Sequence, residues 1–365
     1  MTTSLFDTHR LGRLTLPNRA VMAPMSRIRG TAEGFATEQM ATYFGQRATA
    51  GLIISDGTAP NRVGSGNPGA AGLRTEEEAA SWKPVTDAVH GGGGRIFAQL
   101  MHAGRISHES TSGLQPVGPS AVAANATVFT PVGPRPAPVP RALEISEIPE
   151  QARSYAQAAI RAIDAGFDGV ELHGANGYLI GQFLSSNANL RTDSYGGSIA
   201  GRIRFAVEAA EATADAIGAD RTGIRLSPGA GLWDVVEEDV PALYGALLTE
   251  LNRLGLAYVH LEVTTDEATV LDLRRRWEGT FMVNPSTWLE RGGEAYGPVP
   301  TNRDSAEHWL GLGADLVSFG RAYLANPDLV ERLRRRLPLA EADPATFYTG
   351  GASGYVDYPA YQQTA

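Results

Sequence analysis

The chain has 365 residues, 43% apolar and 19% charged, with a formal net charge of −9 and no cysteine. That acidic balance argues against nucleic-acid or anionic-membrane partners, which need clustered positive charge. The missing cysteine removes disulfides, thiolate-held zinc, iron–sulfur clusters and thiol nucleophiles.

Lys83 is the sole lysine among 31 basic residues. Its Trp82-Lys83-Pro84 setting rules out a P-loop and leaves Schiff-base chemistry little to work with. The opening MTTSLFDTHR has no apolar signal core, and no stretch is long and apolar enough to span a membrane. The histidines include no HExxH, and His102 and His108 have no third ligand nearby. A cytoplasmic enzyme without a protein-held metal is expected.

In chain order, short buried-strand runs alternate with amphipathic helical stretches. The strands are expected at Ala20–Met25, Gly51–Ser55, Arg95–Leu100, Gly169–His173, Gly223–Ser227, Tyr258–Val263, Thr280–Asn284 and Leu316–Gly320. The helices between them are expected at Glu38–Ala50, Glu76–His90, Pro149–Ala165, Ile199–Ile217, Val240–Leu254, Asp266–Trp277 and Asp304–Leu312, with a last one at Pro327–Leu337. Each strand is apolar nearly throughout, as one covered on both faces must be. Gly51, Gly166, Gly218, Gly255 and Gly313 follow helices, and Pro149, Pro241 and Pro327 suit helix starts.

Eight strand–helix units in order predict an α/β (β/α)8 TIM barrel, one domain over residues 1–365. A doubly wound sheet is the runner-up. It needs a glycine fingerprint after strand one, where Ala23-Pro24-Met25-Ser26 stands instead. Two connections are long: residues 101–148 after strand three, expected to cap the barrel with extra hairpin structure, and an inserted loop at 285–303 after strand seven.

Barrel chemistry sits at the carboxyl ends of the strands. Strand four ends in His173-Gly174-Ala175-Asn176-Gly177-Tyr178. If the chain turns helically, His173 and Asn176 converge to clasp a carbonyl oxygen, and Tyr178 supplies a weak acid. The alternative is a turn in which His and Asn satisfy only backbone groups. Gln99 offers a side-chain amide at the end of strand three. Arg225 places a cation inside the mouth, with a structural salt bridge to Glu171 or Glu262 as its alternative role. Gly320-Arg321 ends strand eight, where barrels recurrently bind phosphate. The arginines at 274–276 and 334–336 fall near helix C-termini and read as solvated faces.

Together these pieces resemble the Old Yellow Enzyme family of flavin-dependent ene-reductases, nearly end to end. The resemblance rests on Leu16-Pro17-Asn18-Arg19 leading into Met22 to Arg27, on Gly104 to His108, Pro140 to Leu143, His173 to Tyr178, Gln182 to Ser185 and Arg191 to Ser198. Ala325 to Leu329 and Gly354 to Pro359 complete it. It implies non-covalent FMN across the barrel mouth, NADPH or NADH as reductant, and hydride transfer to the β-carbon of an enone-type substrate. By the same resemblance Pro24, Met25, Ser26 and Gly57 line the flavin, and Gln99 meets its pyrimidine edge. Arg225 faces its N1–O2 region, while Gly320 and Arg321 hold the phosphate. His173 and Asn176 grip the substrate carbonyl, Tyr178 protonates its α-carbon, and Asn67, Met101 and Tyr355 shape the pocket.

The family often carries tryptophan where Met101 stands and tyrosine where Asn67 stands, so a pocket of different shape is expected. Where the family has a short glycine turn after strand seven, this chain has Pro285, which lacks an N–H. Gly292-Gly293, Arg291 or Arg303 are the expected substitutes at the phosphate. Arg135 and Arg141 are candidate contacts for a nicotinamide phosphate. Two other functions stay open: a specialised isomerase or dehydrogenase on the same flavin scaffold, and a non-catalytic barrel that has lost flavin. The sequence leaves monomer and homodimer equally open.

Overall fold

Eight parallel strands close into a barrel in chain order: β1 (Ala20–Met22), β2 (Leu52–Thr58), β3 (Ile96–Leu100), β4 (Gly169–Gly174), β5 (Thr222–Leu226), β6 (Tyr258–Glu262), β7 (Thr280–Asn284) and β8 (Leu316–Phe319). The computed structural model describes residues 3–285, 287–291, 294–348 and 351–361. All eight expected strands are present. The first stops at Met22 rather than Met25 because Pro24 has no N–H to continue the ladder.

Period-two alternation sorts the inward side chains into layers. Val21, Leu52, Ile54, Phe97, Tyr258, Met282 and Leu316 fill the amino-terminal half of the barrel, closed below by Leu11 and Leu16. These two leucines belong to an N-terminal hairpin, His9–Leu11 with Leu14–Leu16, that the sequence reading passed over. The two large rings need two glycines. A Cβ on Gly169 would lie 2.5 Å from the Phe97 ring, and one on Gly223 would lie 2.4 Å from the Tyr258 ring. One layer higher the inward positions turn polar: Gln99, Glu171, Arg225, His260, Asn284 and Ser318 are all buried.

The outer helices are α1 (Glu38–Gly45), α2 (Glu76–Ser81), α3 (Lys83–Gly91), α4 (Ile148–Asp164), α5 (Ile199–Ile217), α6 (Val240–Asn252), α7 (Glu267–Arg276), α8 (Arg303–Gly311) and α9 (Leu329–Arg335). Side chains of Thr37, Thr75, Ser198, Asp266 and Asn302 cap α1, α2, α5, α7 and α8. The single helix expected over Glu76–His90 breaks in two at Trp82. Pro84 stands in the first turn of the second piece, and the Trp82 indole turns inward to donate to the Gly72 carbonyl at 3.0 Å. Two further short helices, Leu179–Leu184 and Arg321–Ala325, follow β4 and β8 directly.

The excursion after β3 carries the expected small hairpin, Thr127–Val128 against Arg135–Pro136, and a parallel pair, Val117–Gly118 with Arg141–Ala142. The insertion after β7 is more ordered than a loop, since Thr287–Arg291 and Glu294–Val299 pair as an antiparallel hairpin. Among the described residues no helix is long and apolar enough to cross a membrane.

Candidate active site

The barrel register gathers the polar layer at the carboxyl ends of the strands. Gly57 pairs with Gln99, Gln99 with Glu171, His173 with Arg225, Arg225 with His260, and Glu262 with Asn284. The side chains form one bonded network. Gln99 Nε2 donates to Glu171 Oε1 at 2.8 Å, while Tyr258 Oη and His260 Nδ1 donate to Glu171 Oε2 at 3.0 and 2.8 Å. With Nδ1 donating, His260 Nε2 is the acceptor, and the Ser318 hydroxyl reaches it at 2.8 Å.

Burial alone would raise the Glu171 carboxyl. The His260 and Arg225 partners and the Gln99 amide outweigh it and hold the group below the usual carboxylate range. Arg225 Nη2 donates to Glu262 Oε2 at 3.0 Å and to Asn284 Oδ1 at 3.1 Å. The salt-bridge alternative for Arg225 is therefore realised, with Glu262. Its Nε is buried without a hydrogen-bond partner.

Above this layer, His173 is 4% exposed and its Nδ1 has no partner. Burial, with Arg225 adding to it, pushes the imidazole down to about 3, so the ring is neutral at physiological pH. The chain does not turn helically after it. Asn176 and Gly177 are both left-handed, with φ of 57° and 71°. Asn tolerates that region, and the turn is fixed by the Asn176 N–H donating to Ser227 Oγ at 2.8 Å. The Asn176 side-chain oxygen is buried and unpartnered too. Tyr178 lies with its ring centroid 5.0 Å from that of His173, and burial pushes its hydroxyl up to about 12.

Tyr178 lines a cavity of about 130 Å³ together with Ser26, Asn67, Phe129, Trp233 and Tyr348. Asn67 also borders a smaller adjoining space with Gly57 and Met101. Met101 fills the room above Gly57, where an added Cβ would sit 2.8 Å from the Met101 sulfur. Tyr355, expected at the pocket wall, does not line this cavity. It is fully buried and stacked on Tyr43 at 4.1 Å, with the Arg27 and Arg29 guanidiniums 5.2 and 5.0 Å from its ring.

The same two arginines bring a different tyrosine to the cavity. Arg27 donates to the carbonyls of Phe347 and Gly354 at 2.9 and 2.8 Å, and Arg29 to those of Thr346 and Gly351 at 2.9 and 3.0 Å. That latch sets Tyr348 against the cavity. Phe129, on the capping hairpin, lies 6.2 Å from Tyr348 ring to ring. Trp233 arrives from the β5–α6 loop in a left-handed conformation. Sequence reasoning missed all three aromatics; only their residue type hinted at a role.

Pro24, Met25 and Ser26 form a half-buried rim. Beside them Gly320 leaves open space, since an added Cβ would meet nothing nearer than Met25 Sδ at 3.7 Å. Arg321 is exposed, its guanidinium 5.8 Å from the Phe347 ring, at the edge of a groove of about 330 Å³. Three orphaned polar atoms and this open rim fit a flat, polar-edged group with a phosphate, as FMN is. The substitutes expected after β7 fare differently. Arg303 is committed to Glu307 and to the Leu333 carbonyl. Gly292 and Gly293 lie outside the described residues, and Arg291 is described by its backbone alone. Arg141 is likewise held, by two bonds to Glu147 at 2.7 and 2.9 Å.

The family model described as NADH:flavin oxidoreductase / NADH oxidase matches residues 4–340. The 12-oxophytodienoate reductase 7 of Oryza sativa subsp. japonica is 39% identical, over 97% of this chain and 94% of the relative. A probable flavin mononucleotide-dependent alkene reductase of Leishmania infantum is 40% identical, over 96% and 95%. Among solved structures, morphinone reductase in complex with tetrahydroNAD superposes with a TM-score of 0.90 at 42% identity, covering 99% of this chain and 98% of that one. The Old Yellow Enzyme homologue from Zymomonas mobilis gives 0.91 at 38%, covering 98% and 100%. With a matching family model over most of its length and such relatives end to end, the chain belongs to the NADH:flavin oxidoreductase, or Old Yellow Enzyme, family.

Proposed function

We propose that this protein reduces the activated C=C bond of α,β-unsaturated carbonyl compounds, using FMN seated across the barrel mouth and NADPH or NADH as the electron source. The observation that carries the reading is the pair of buried, unpartnered side-chain atoms on His173 and Asn176, with the Tyr178 ring packed beside that of His173. Buried polar groups without partners are costly and concentrate where a ligand completes them. A cytoplasmic location belongs to the same proposal.

FMN, when bound, supplies the hydride. The chain's own residues do the rest. His173, neutral because burial holds its proton affinity down, donates a hydrogen bond to the substrate carbonyl without protonating it. The Asn176 amide, by rotation about its last torsion, offers the second donor. Both stabilise the oxygen as negative charge gathers there. Tyr178 keeps its proton throughout the neutral range and delivers it to the α-carbon. Pro24, Met25, Ser26 and Gly57 line one side of the FMN seat, Gln99 and Arg225 address the ring, and Gly320 with Arg321 hold the phosphate.

Visible spectra of the purified protein, before and after anaerobic NADPH or NADH, followed by a panel of enones, test this directly. Flavin absorbance that bleaches with nicotinamide and returns with an enone is expected. No flavin absorbance, even after incubation with FMN, overturns the proposal. Redox-neutral turnover without nicotinamide replaces it with an isomerase.

A further inference from the structure

The polar layer under the barrel mouth carries an imbalance of charge that the proposed chemistry does not require. Its groups come from adjacent strands. β4 gives Glu171 and His173, β5 gives Arg225, β6 gives Tyr258, His260 and Glu262, and β7 gives Asn284. Burial lowers both imidazoles and raises the Tyr258 phenol, so all three are neutral. The charged members are the Glu171 and Glu262 carboxylates against the single Arg225 guanidinium. Glu262 is 4% exposed and bonds Arg225 directly at 3.0 Å. The cation expected to face the flavin pyrimidine is thus already neutralised by the chain itself, and the layer as a whole is formally one charge negative.

We propose that Glu262, by pairing with Arg225, sets the proton content of the reduced cofactor, so that bound FMN takes up two protons rather than one on two-electron reduction. The inference rests on the FMN reading above. The balance is simple. A hydride brings two electrons and one proton to the flavin, leaving an anion with its charge at N1–O2. A second proton, from solvent, makes the reduced ring neutral. An unpaired arginine at that edge favours the anion, whereas an arginine bonded to a carboxylate in a layer already negative favours the protonated ring. Inside a protein the effective dielectric is far below that of water, so one charge at contact distance from Arg225 shifts such an equilibrium at least about tenfold.

The test compares the FMN-loaded parent protein with Glu262→Gln by dye-equilibrated reduction potentials between pH 6 and 9. FMN dissociation constants and circular dichroism report binding and fold alongside. In the parent, the potential falls with pH at the slope of two protons per two electrons. In Glu262→Gln, the change to a one-proton slope moves down by about one pH unit or more. Above that change the potential rises by about 30 mV, the equivalent of tenfold for a two-electron couple. A one-proton slope in the parent itself across this range also overturns the inference, a readout that survives if the glutamine variant does not fold. Unchanged slopes and potentials in a variant that still binds FMN overturn the inference and leave the functional proposal standing. Failure of the parent protein to bind FMN at all sinks both.

Discussion

Replacing Tyr178 with phenylalanine removes one oxygen and leaves the ring in place, 5.0 Å from His173. The hydroxyl sits at about 12, so at pH 7 only about one molecule in 10⁵ has lost its proton. The parent therefore runs with its acid fully loaded and shows no loss of rate from this group until the pH passes about 10. A positioned general acid contributes roughly 10²- to 10⁴-fold, or about 2.7 to 5.5 kcal/mol of barrel-mouth transition-state stabilisation. Tyr178→Phe should lose that factor in the oxidative half-reaction alone. The assay is anaerobic stopped flow in two halves, nicotinamide mixed with oxidised protein and then an enone mixed with reduced protein, with product counted at the end. Nicotinamide bleaching at the parent's rate and flavin reoxidation slowed at least 100-fold is the expected outcome. Reoxidation within about twofold of the parent refutes the assignment of Tyr178 as proton donor.

Other consequences can be checked on stability. Gly223→Ala forces a methyl to within 2.4 Å of the Tyr258 ring and should cost about 1–3 kcal/mol by urea titration, partly recovered when Tyr258 is also trimmed to leucine; parent-like stability would mean the ring is free to move. His102 is fully buried and pushed down to about 4 by burial, against 6.5 when exposed. Its contribution is complete above about pH 6.5 and is lost as the pH falls toward 4, because the unfolded chain takes up the proton first. That loss amounts to about 3 kcal/mol, so His102→Gln should flatten the decline in urea midpoint between pH 6.5 and 4.5. Asp56, pushed up to about 6 by burial, works in the opposite sense, with its stabilisation fading as the pH rises through 6. An unchanged acid slope in His102→Gln would show that the ring is reached by water.

The barrel itself was open to sequence reasoning because a strand buried on both faces writes its burial into every residue, as Leu172 and Val170 do on β4. His173, Asn176, Gln99 and Arg225 were legible for a related reason, since each stands at the end of such a run. What stayed hidden depends on contacts between distant parts of the chain. Two tyrosines near the C-terminus look alike in sequence, and only the carbonyl bonds of Arg27 and Arg29 decide that Tyr348 meets the cavity while Tyr355 stacks on Tyr43. Trp233 owes its place to a left-handed backbone that no propensity scale favours. The break at Trp82 follows from an indole whose acceptor, Gly72, lies ten residues earlier. Glu262 was named only as one of two partners for Arg225, and pair geometry chose between them.

Arg27 and Arg29 fasten the stretch around Tyr348 through the main-chain oxygens of Thr346, Phe347, Gly351 and Gly354, and both also pack against the Tyr355 ring. Every residue type carries the same carbonyl, so these bonds do not depend on which side chain stands at position 348. Tyr348 can be exchanged for another amino acid while the segment stays fastened, which makes the outer wall of the cavity replaceable without disturbing the scaffold beneath. A lineage, or an engineer, wishing to admit a different substrate shape has at that position a surface uncoupled from the cost of folding.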